Sequence, residues 1–302
     1  MKKFGLIFFV IYLSSVYSVV NGQETIDLYE SGKIPNSIAV DNSEQITNGI
    51  VRNVSIPQLI VFKAQKENSN KTAMLICPGG SYHCLHLRSV CDVAETLAMN
   101  GVTSFVLKYR LPDDKWCKDK STAPIQDAQR AMQIIRQQSD KWNIDSTRVG
   151  VLGQSAGGHL AACVSYLYDN EFIENKGRVN LRPDFSILLY PVITMDTSYT
   201  HMTSRINLLG RNPVKNKQDL FSPEKIIKPD APSTFILHAN DDKVVPVENS
   251  LLLYKALMNS EIPVEMHLFS SGGHGFGYGF SKNRWLPLCI EWLTDKGYIK
   301  SE

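Results

Sequence analysis

Short runs of consecutive apolar residues recur along the chain, separated by segments in which apolar positions return at helical spacing. "TAMLICP" (72–78), "VTSFVLKYRLP" (102–112), "RVGVLG" (148–153), "FSILLYPVI" (185–193), "STFILHA" (233–239) and "VEMHLFS" (264–270) predict strands, and "NVSIPQLIVFKA" (53–64) predicts another ahead of them. Between them, "VCDVAETLAMNG" carries Val90, Val93, Ala94, Leu97 and Ala98 on one helical face, with Asn100-Gly101 as its stop. "APIQDAQRAMQIIRQQSDKWNI" (123–144) starts with Pro124 and lines up Ala128, Ala131, Ile134 and Ile135. "SAGGHLAACVSYLY", "ENSLLLYKALMNS" and "RWLPLCIEWLTDKG" predict three more helices, the last carrying Pro287 as a kink or restart. Strands without polar alternation, alternating with helices, imply a mostly parallel twisted sheet covered on both faces, an α/β fold.

Two stretches stand apart from this alternation. Residues 23 to 48 are polar and irregular, as expected of a surface arm. Residues 196–230 are long, polar and weakly periodic, either a cap-like insertion over the carboxyl edge of the sheet or a surface excursion; in both cases 23–302 forms one domain. The N-terminus differs again. Lys2 and Lys3 precede an apolar run from Phe4 to Leu13, then Ser14, Ser15 and Ser18, and a small-residue exit at Gly22. That order predicts a cleavable signal peptide over 1–22, hence a secreted or periplasmic protein without stable membrane insertion.

Composition changes this picture little. The 302 residues are 43% hydrophobic and 21% charged, enough for a sizeable core. A net charge of +2 with no basic run argues against nucleic acid as a partner. Six cysteines at 77, 84, 91, 117, 163 and 289 show no CxxC spacing, so no zinc site is expected. Cys77 and Cys163 lie in apolar runs, and a bridge among Cys84, Cys91 and Cys117 stays open.

The candidate chemistry collects where strands end. Gly153-Gln154-Ser155-Ala156-Gly157 is a G-x-S-x-G turn between a strand and a helix, with glycines where side chains would collide with neighbouring elements. Ser155 is the candidate nucleophile and needs a base, because a free hydroxyl is a poor one. His274 follows the strand "VEMHLF" in the glycine-rich "SSGGHGFGYG" and is the candidate base. His238 and His267 lie within strands, His159 lies on the helix behind Ser155, and His201 lies in the possible cap. Asp241 and Asp242 follow "FILHA"; one can orient the base while the other caps the turn or meets solvent, and spacing does not choose between them. Gly79, Gly80 and Ser81 follow an early strand, where a backbone N–H can face an oxyanion, with the N–H of Ala156 as second donor. His83 and His86 come just after, placed to line the site without acting as base.

Together "CPGGSYHCL", "FVLKYRLP", "DAQRAMQIIR", "GQSAGGHLAA", "HANDDKVVPVENS" and "GGHGFG" resemble the α/β-hydrolase family. Within it they resemble the secreted bacterial esterases that include acetylxylan esterases and feruloyl-esterase-like enzymes. The resemblance runs over residues 50 to 295. It implies Asp242, which precedes the V-V-P segment, as the acid beside Ser155 and His274, and Tyr82 as a lining residue of the acyl pocket. The chain departs from the family pattern at the third glycine of the loop, where it has Ser81; the backbone donor is retained, and its geometry becomes the question. The implied activity is hydrolysis of ester substituents, O-acetyl first and feruloyl second, on plant-type polysaccharide, with no metal or cofactor. An exopeptidase or amidase of the same fold, lacking here a distinct carpet of Glu or Arg to hold a charged terminus, and a non-catalytic carbohydrate-binding descendant are the rival readings.

Overall fold

The computed structural model describes residues 23–30, 32–40, 43–66, 70–276 and 282–300. The predicted signal peptide lies outside them. In chain order the elements are β1 (Glu24–Asp27), β2 (Gln45–Thr47), β3 (Ile50–Arg52), β4 (Gln58–Phe62), β5 (Ala73–Cys77), β6 (Leu85–His86), α1 (Leu87–Met99), β7 (Thr103–Lys108), α2 (Ala123–Gln137), β8 (Val149–Gln154) and α3 (Ala156–Tyr166). They continue with β9 (Phe185–Leu189), α4 (Met202–Leu209), α5 (Lys215–Leu220), β10 (Ser233–Ala239), α6 (Glu248–Asn259), β11 (Val264–Phe269) and α7 (Lys282–Asp295).

Eight strands form one sheet in the order β1-β4-β7-β5-β8-β9-β10-β11. β1 and β4 run antiparallel at one edge, and the strands from β7 to β11 are mutually parallel. Every residue of β5, β7, β8 and β9 is buried, which is why these strands read as continuous apolar runs rather than alternating ones. From β5 the chain steps to β7 on one side, then returns to β8 on the other. Such a reversal opens a crevice beyond the carboxyl ends of β5 and β8, the position at which open α/β sheets hold ligands. Right-handed crossovers then place α1 on one face and α2 with α3 on the other, and α2 packs on α3.

The polar arm is more ordered than its composition suggests. β1 joins the sheet edge through backbone pairing to β4, Glu24 opposite Val61 through Asp27 opposite Gln58. β2, β3 and β6 form a small second sheet. These strands have two to four residues, too few for a side-chain period to show, and main-chain pairing at an edge asks little of the side chains. The helix expected over 123–144 ends at Gln137, and a 3-10 turn, Ser139–Trp142, follows. α7 passes through Pro287 without breaking. All six cysteines are buried with free thiols, including Cys84, Cys91 and Cys117. Among the described residues no helix is long and apolar enough to cross a membrane.

Candidate active site

The turn from β8 into α3 places Ser155 at φ 54°, ψ −121°, a conformation costly for any side chain and held by its surroundings. Its amide donates to Leu189 O at 3.0 Å, and its carbonyl accepts from Val192 N and His159 N at 3.1 Å each. Glycine on either side is a steric requirement. A Cβ on Gly153 would lie 2.2 Å from the Gly157 carbonyl oxygen, and one on Gly157 would lie 2.2 Å from Cys77 O and 2.4 Å from Pro78 O. The nucleophile turn is thus wedged between α3 and the end of β5.

Loops from three separate strands converge on this serine. His274, beyond β11, sets Nε2 2.9 Å from Ser155 Oγ and Nδ1 2.7 Å from Asp242 Oδ2. Asp242, beyond β10, is buried and accepts at Oδ1 from the amides of Val244 and Val245, both at 2.9 Å. Burial alone would raise its carboxyl. Hydrogen bonds from His238, His274 and the Val245 amide overcome that and hold it well below the usual carboxylate range. An ionised Asp242 requires Nδ1 of His274 to carry the proton, leaving Nε2 to accept from the serine hydroxyl. Asp242 thus both orients the base and caps its own turn, while Asp241, exposed to solvent, accepts at Oδ1 from the Gly273 amide at 2.8 Å, tying down the loop that carries the imidazole.

His238 is the strand histidine that the sequence predicts, and it also reaches the site. It is fully buried on β10; Nδ1 meets Ser250 Oγ at 2.7 Å, while Nε2 faces Val245 O at 3.0 Å and Asp242 Oδ2 at 3.3 Å. With two acceptors before it, Nε2 carries the proton, and His238 supports the carboxylate from behind.

The glycine loop after β5 lies directly against the nucleophile, since a Cβ on Gly79 would stand 3.2 Å from Ser155 Cβ. His86 N donates to Gly79 O at 3.0 Å, and Gly80 O accepts from His83 N at 2.9 Å and Cys84 N at 3.0 Å. In a trans peptide the N–H points opposite its C=O. The amides of Gly80 and Ser81 therefore face away from the interior of the loop, and both residues line the cavity beside Ser155. The Ser155 carbonyl, engaged by Val192 and His159, turns the Ala156 N–H outward at the head of α3 by the same logic.

That cavity has a volume of about 140 Å³ and opens over Ser155 and His274, with His86, Tyr190 and Val244 on its walls. Tyr82 and His83, the expected lining residues, are not among its walls. Tyr82 is buried with its hydroxyl 2.7 Å from His159 Nδ1, and His83 is exposed to solvent. The backbone explains the correction: Ser81 and Tyr82 both have φ of 57°, and the turn carries the tyrosine ring inward toward α3. Tyr190 supplies the aromatic wall instead, edge-on to the His274 ring with centroids 5.0 Å apart. A tyrosine ending "SILLY" reads as strand, which hides it. Two further histidines stand near the base, His86 and His201, each pushed toward its neutral form chiefly by burial, with the Arg52 charge adding to this at His86.

Two residues of the 196–230 segment reach the glycine loop and α3. Asn207 on α4 donates from Nδ2 to Ser81 O at 2.8 Å, and His159 Nε2 lies 2.9 Å from Phe221 O just after α5. Among the described residues no group of three or more His, Cys, Asp or Glu side chains could hold a metal ion.

Sheet order, nucleophile turn and relay together define an α/β-hydrolase. The BD-FAE family model matches residues 59–257, and the chain belongs to that family. It is 34% identical over 241 residues to an acetylxylan esterase of Xylanibacter ruminicola, covering 78% of this chain and 46% of that protein. It is 35% identical over 223 residues to endo-1,4-beta-xylanase B of Butyrivibrio fibrisolvens, covering 73% and 34% respectively. The chain thus spans about half or less of these two curated relatives. An acetyl ester-xyloside bifunctional hydrolase from Caldicellulosiruptor lactoaceticus superposes with a TM-score of 0.76 at 33% identity, covering 91% of this chain and 97% of that one. Thermogutta terrifontis esterase 2, phosphoramylated by tabun, shares the fold with a TM-score of 0.74 at 22% identity, covering 94% and 98%.

Proposed function

We propose that this protein is a serine carboxylesterase that removes O-acetyl groups from plant-type polysaccharide such as xylan. The observation that carries the reading is the Asp242–His274–Ser155 relay opening on a small cavity beside the outward amides of Gly80, Ser81 and Ala156. Ser155 Oγ attacks the ester carbonyl carbon as His274 Nε2 takes its proton, and Asp242 holds the resulting imidazolium. The carbonyl oxygen becomes an oxyanion, stabilised by the Ala156 amide together with those of the glycine loop. Collapse expels the sugar oxygen, which receives the proton from His274. Water then attacks the acetyl-enzyme under the same base and releases acetate, restoring Ser155.

Cavity size favours acetyl over feruloyl. A protein cavity of about 150 Å³ holds one benzene, and a feruloyl group adds a methoxy, a hydroxyl and a propenoyl arm to that ring. The names of the relatives, acetylxylan esterase and acetyl ester-xyloside bifunctional hydrolase, support a xylan-type substrate. Export with removal of residues 1–22 belongs to the same proposal, supported by the Lys2-Lys3 start and the apolar run after it. The test is release of acetate and of ferulate from acetylated and feruloylated xylans, with p-nitrophenyl acetate as a minimal ester. Wild-type protein should release acetate, and Ser155→Ala should fall by about 10⁶-fold in kcat. Undiminished turnover by Ser155→Ala would refute the mechanism; ferulate released in preference to acetate would refute the acyl assignment.

A further inference from the structure

The turn at the glycine loop carries an unusual sequence for its shape. Gly80 O accepts from His83 N, and the two residues between, Ser81 and Tyr82, both have φ of 57°. Positive φ at both central positions marks the I′ turn, for which Asn-Gly is the favoured pair. A residue with a Cβ is strained in this region, and here two stand in succession. Something outside the turn must hold them.

Two contacts do so from different directions. On one side the Tyr82 hydroxyl is buried against His159 Nδ1 at 2.7 Å, and His159 follows Ser155 by one turn of α3. On the other, Asn207 Nδ2 donates to Ser81 O at 2.8 Å from helix α4. The Ser81 carbonyl is the far end of the residue whose N–H faces the cavity. Fixing it fixes ψ of Ser81 and, through the short turn, the direction of that N–H. Resting on the esterase reading above, we propose that Asn207 is a positioning residue. It acts through Ser81 by holding the strained turn that aims the oxyanion donor, so the 196–230 segment is part of the catalytic apparatus.

Strain makes the proposal testable by rescue, because glycine occupies positive φ without penalty. With p-nitrophenyl acetate, Asn207→Ala should lower kcat by about 10- to 100-fold with KM changed less than about two-fold, the pattern of a misaimed transition-state donor. Adding Ser81→Gly to Asn207→Ala should bring kcat to within about two-fold of Ser81→Gly alone, since the glycine no longer needs the restraint. An unchanged kcat in Asn207→Ala overturns the proposal. So does an equal loss from Asn207→Ala with and without Ser81→Gly, which would mean that the asparagine serves its own segment and not the turn. Should Asn207→Ala fail to fold, the comparison between the double variant and Ser81→Gly alone still decides. Wild-type protein inert toward p-nitrophenyl acetate would instead defeat the esterase reading itself, an outcome separate from either of these.

Discussion

The two ends of the relay are built differently. Ser155 sits at the centre of the sheet, where β8 is buried on both faces and its turn is wedged by backbone atoms of β5 and α3. His274 sits at the edge, after β11, whose residues are all partly exposed, on a loop in which Gly272, Gly273 and Gly275 have positive φ. At the centre, position is enforced by close packing; at the edge, it is enforced by a few hydrogen bonds, from the imidazole to Asp242 and from the Gly273 amide to Asp241. A nucleophile in a strained conformation needs a surround that cannot yield. A base that passes its proton through Nε2 while Nδ1 keeps its own needs only its two nitrogens held.

One substitution placed at both ends measures this difference. Gly157→Ala puts a methyl 2.2 Å from Cys77 O and 2.4 Å from Pro78 O, and neither backbone atom can retreat without moving β5. The expected cost is about 3 kcal/mol of stability, read from urea unfolding, with loss of esterase activity as the turn is displaced. Gly273→Ala meets nothing within 4 Å, and only its φ of 61° resists, at about 1–2 kcal/mol. Equal destabilisation by the two would break the comparison.

The same contrast governs what can be read from the chain. Ser155 and His274 are legible because each follows a predicted strand, and strand ends are visible as changes in composition; the acid is legible from position only as the pair Asp241 and Asp242, and the family resemblance singles out Asp242. Elements held by main-chain pairing are not legible: β1 has only Ile26 as an apolar residue, and β6 has two residues in all. Tyr82 escapes a correct placement for a related reason. Its partner His159 is 77 positions away, and only the backbone of Ser81 and Tyr82 decides that the ring turns inward. Asn207 and Tyr190 carry no local signature; a helix asparagine and a strand-terminal tyrosine acquire meaning through what faces them. His238 reads as a buried strand residue, which it is, and its contact with Asp242 depends on a loop returning at Val245.

Acidification offers a second way to separate centre from edge. His159, behind the nucleophile turn, is lowered by burial to about 4, against an ordinary value of 6.5. Between those values the unfolded chain binds a proton that the folded one refuses, so stability is full above pH 6.5 and falls as pH drops toward 4, by about 3 kcal/mol in total. His86 and His201, also lowered, add in the same direction. Asp242, whose carboxyl is depressed, contributes stability above about pH 3.8 and loses it only below, a separate window. Urea unfolding at several pH values from about 7 to 4.5 should show this slope, and His159→Gln should flatten it by about one proton. An unchanged slope in that variant would mean that His159 does not stand behind the acid sensitivity of the centre.

The smallest expected effect tests the edge alone. Asp241 is exposed and makes one bond that bears on the site, from the Gly273 amide at 2.8 Å. Its removal in Asp241→Ala leaves no buried group unsatisfied, since both partners can turn to water, so stability should change by less than about 1 kcal/mol. Activity should respond more than stability. The His274 loop gains freedom while Asp242 still holds Nδ1, and kcat/KM should fall by about two- to five-fold as part of the loop population leaves the serine. Asp241→Asn keeps an acceptor oxygen for the amide and should recover most of that loss. A drop as large as that of Gly157→Ala would show the edge to be as tightly built as the centre. No response at all would leave Asp242 as sufficient anchor for the imidazole, with the second aspartate serving the solvent face of its turn.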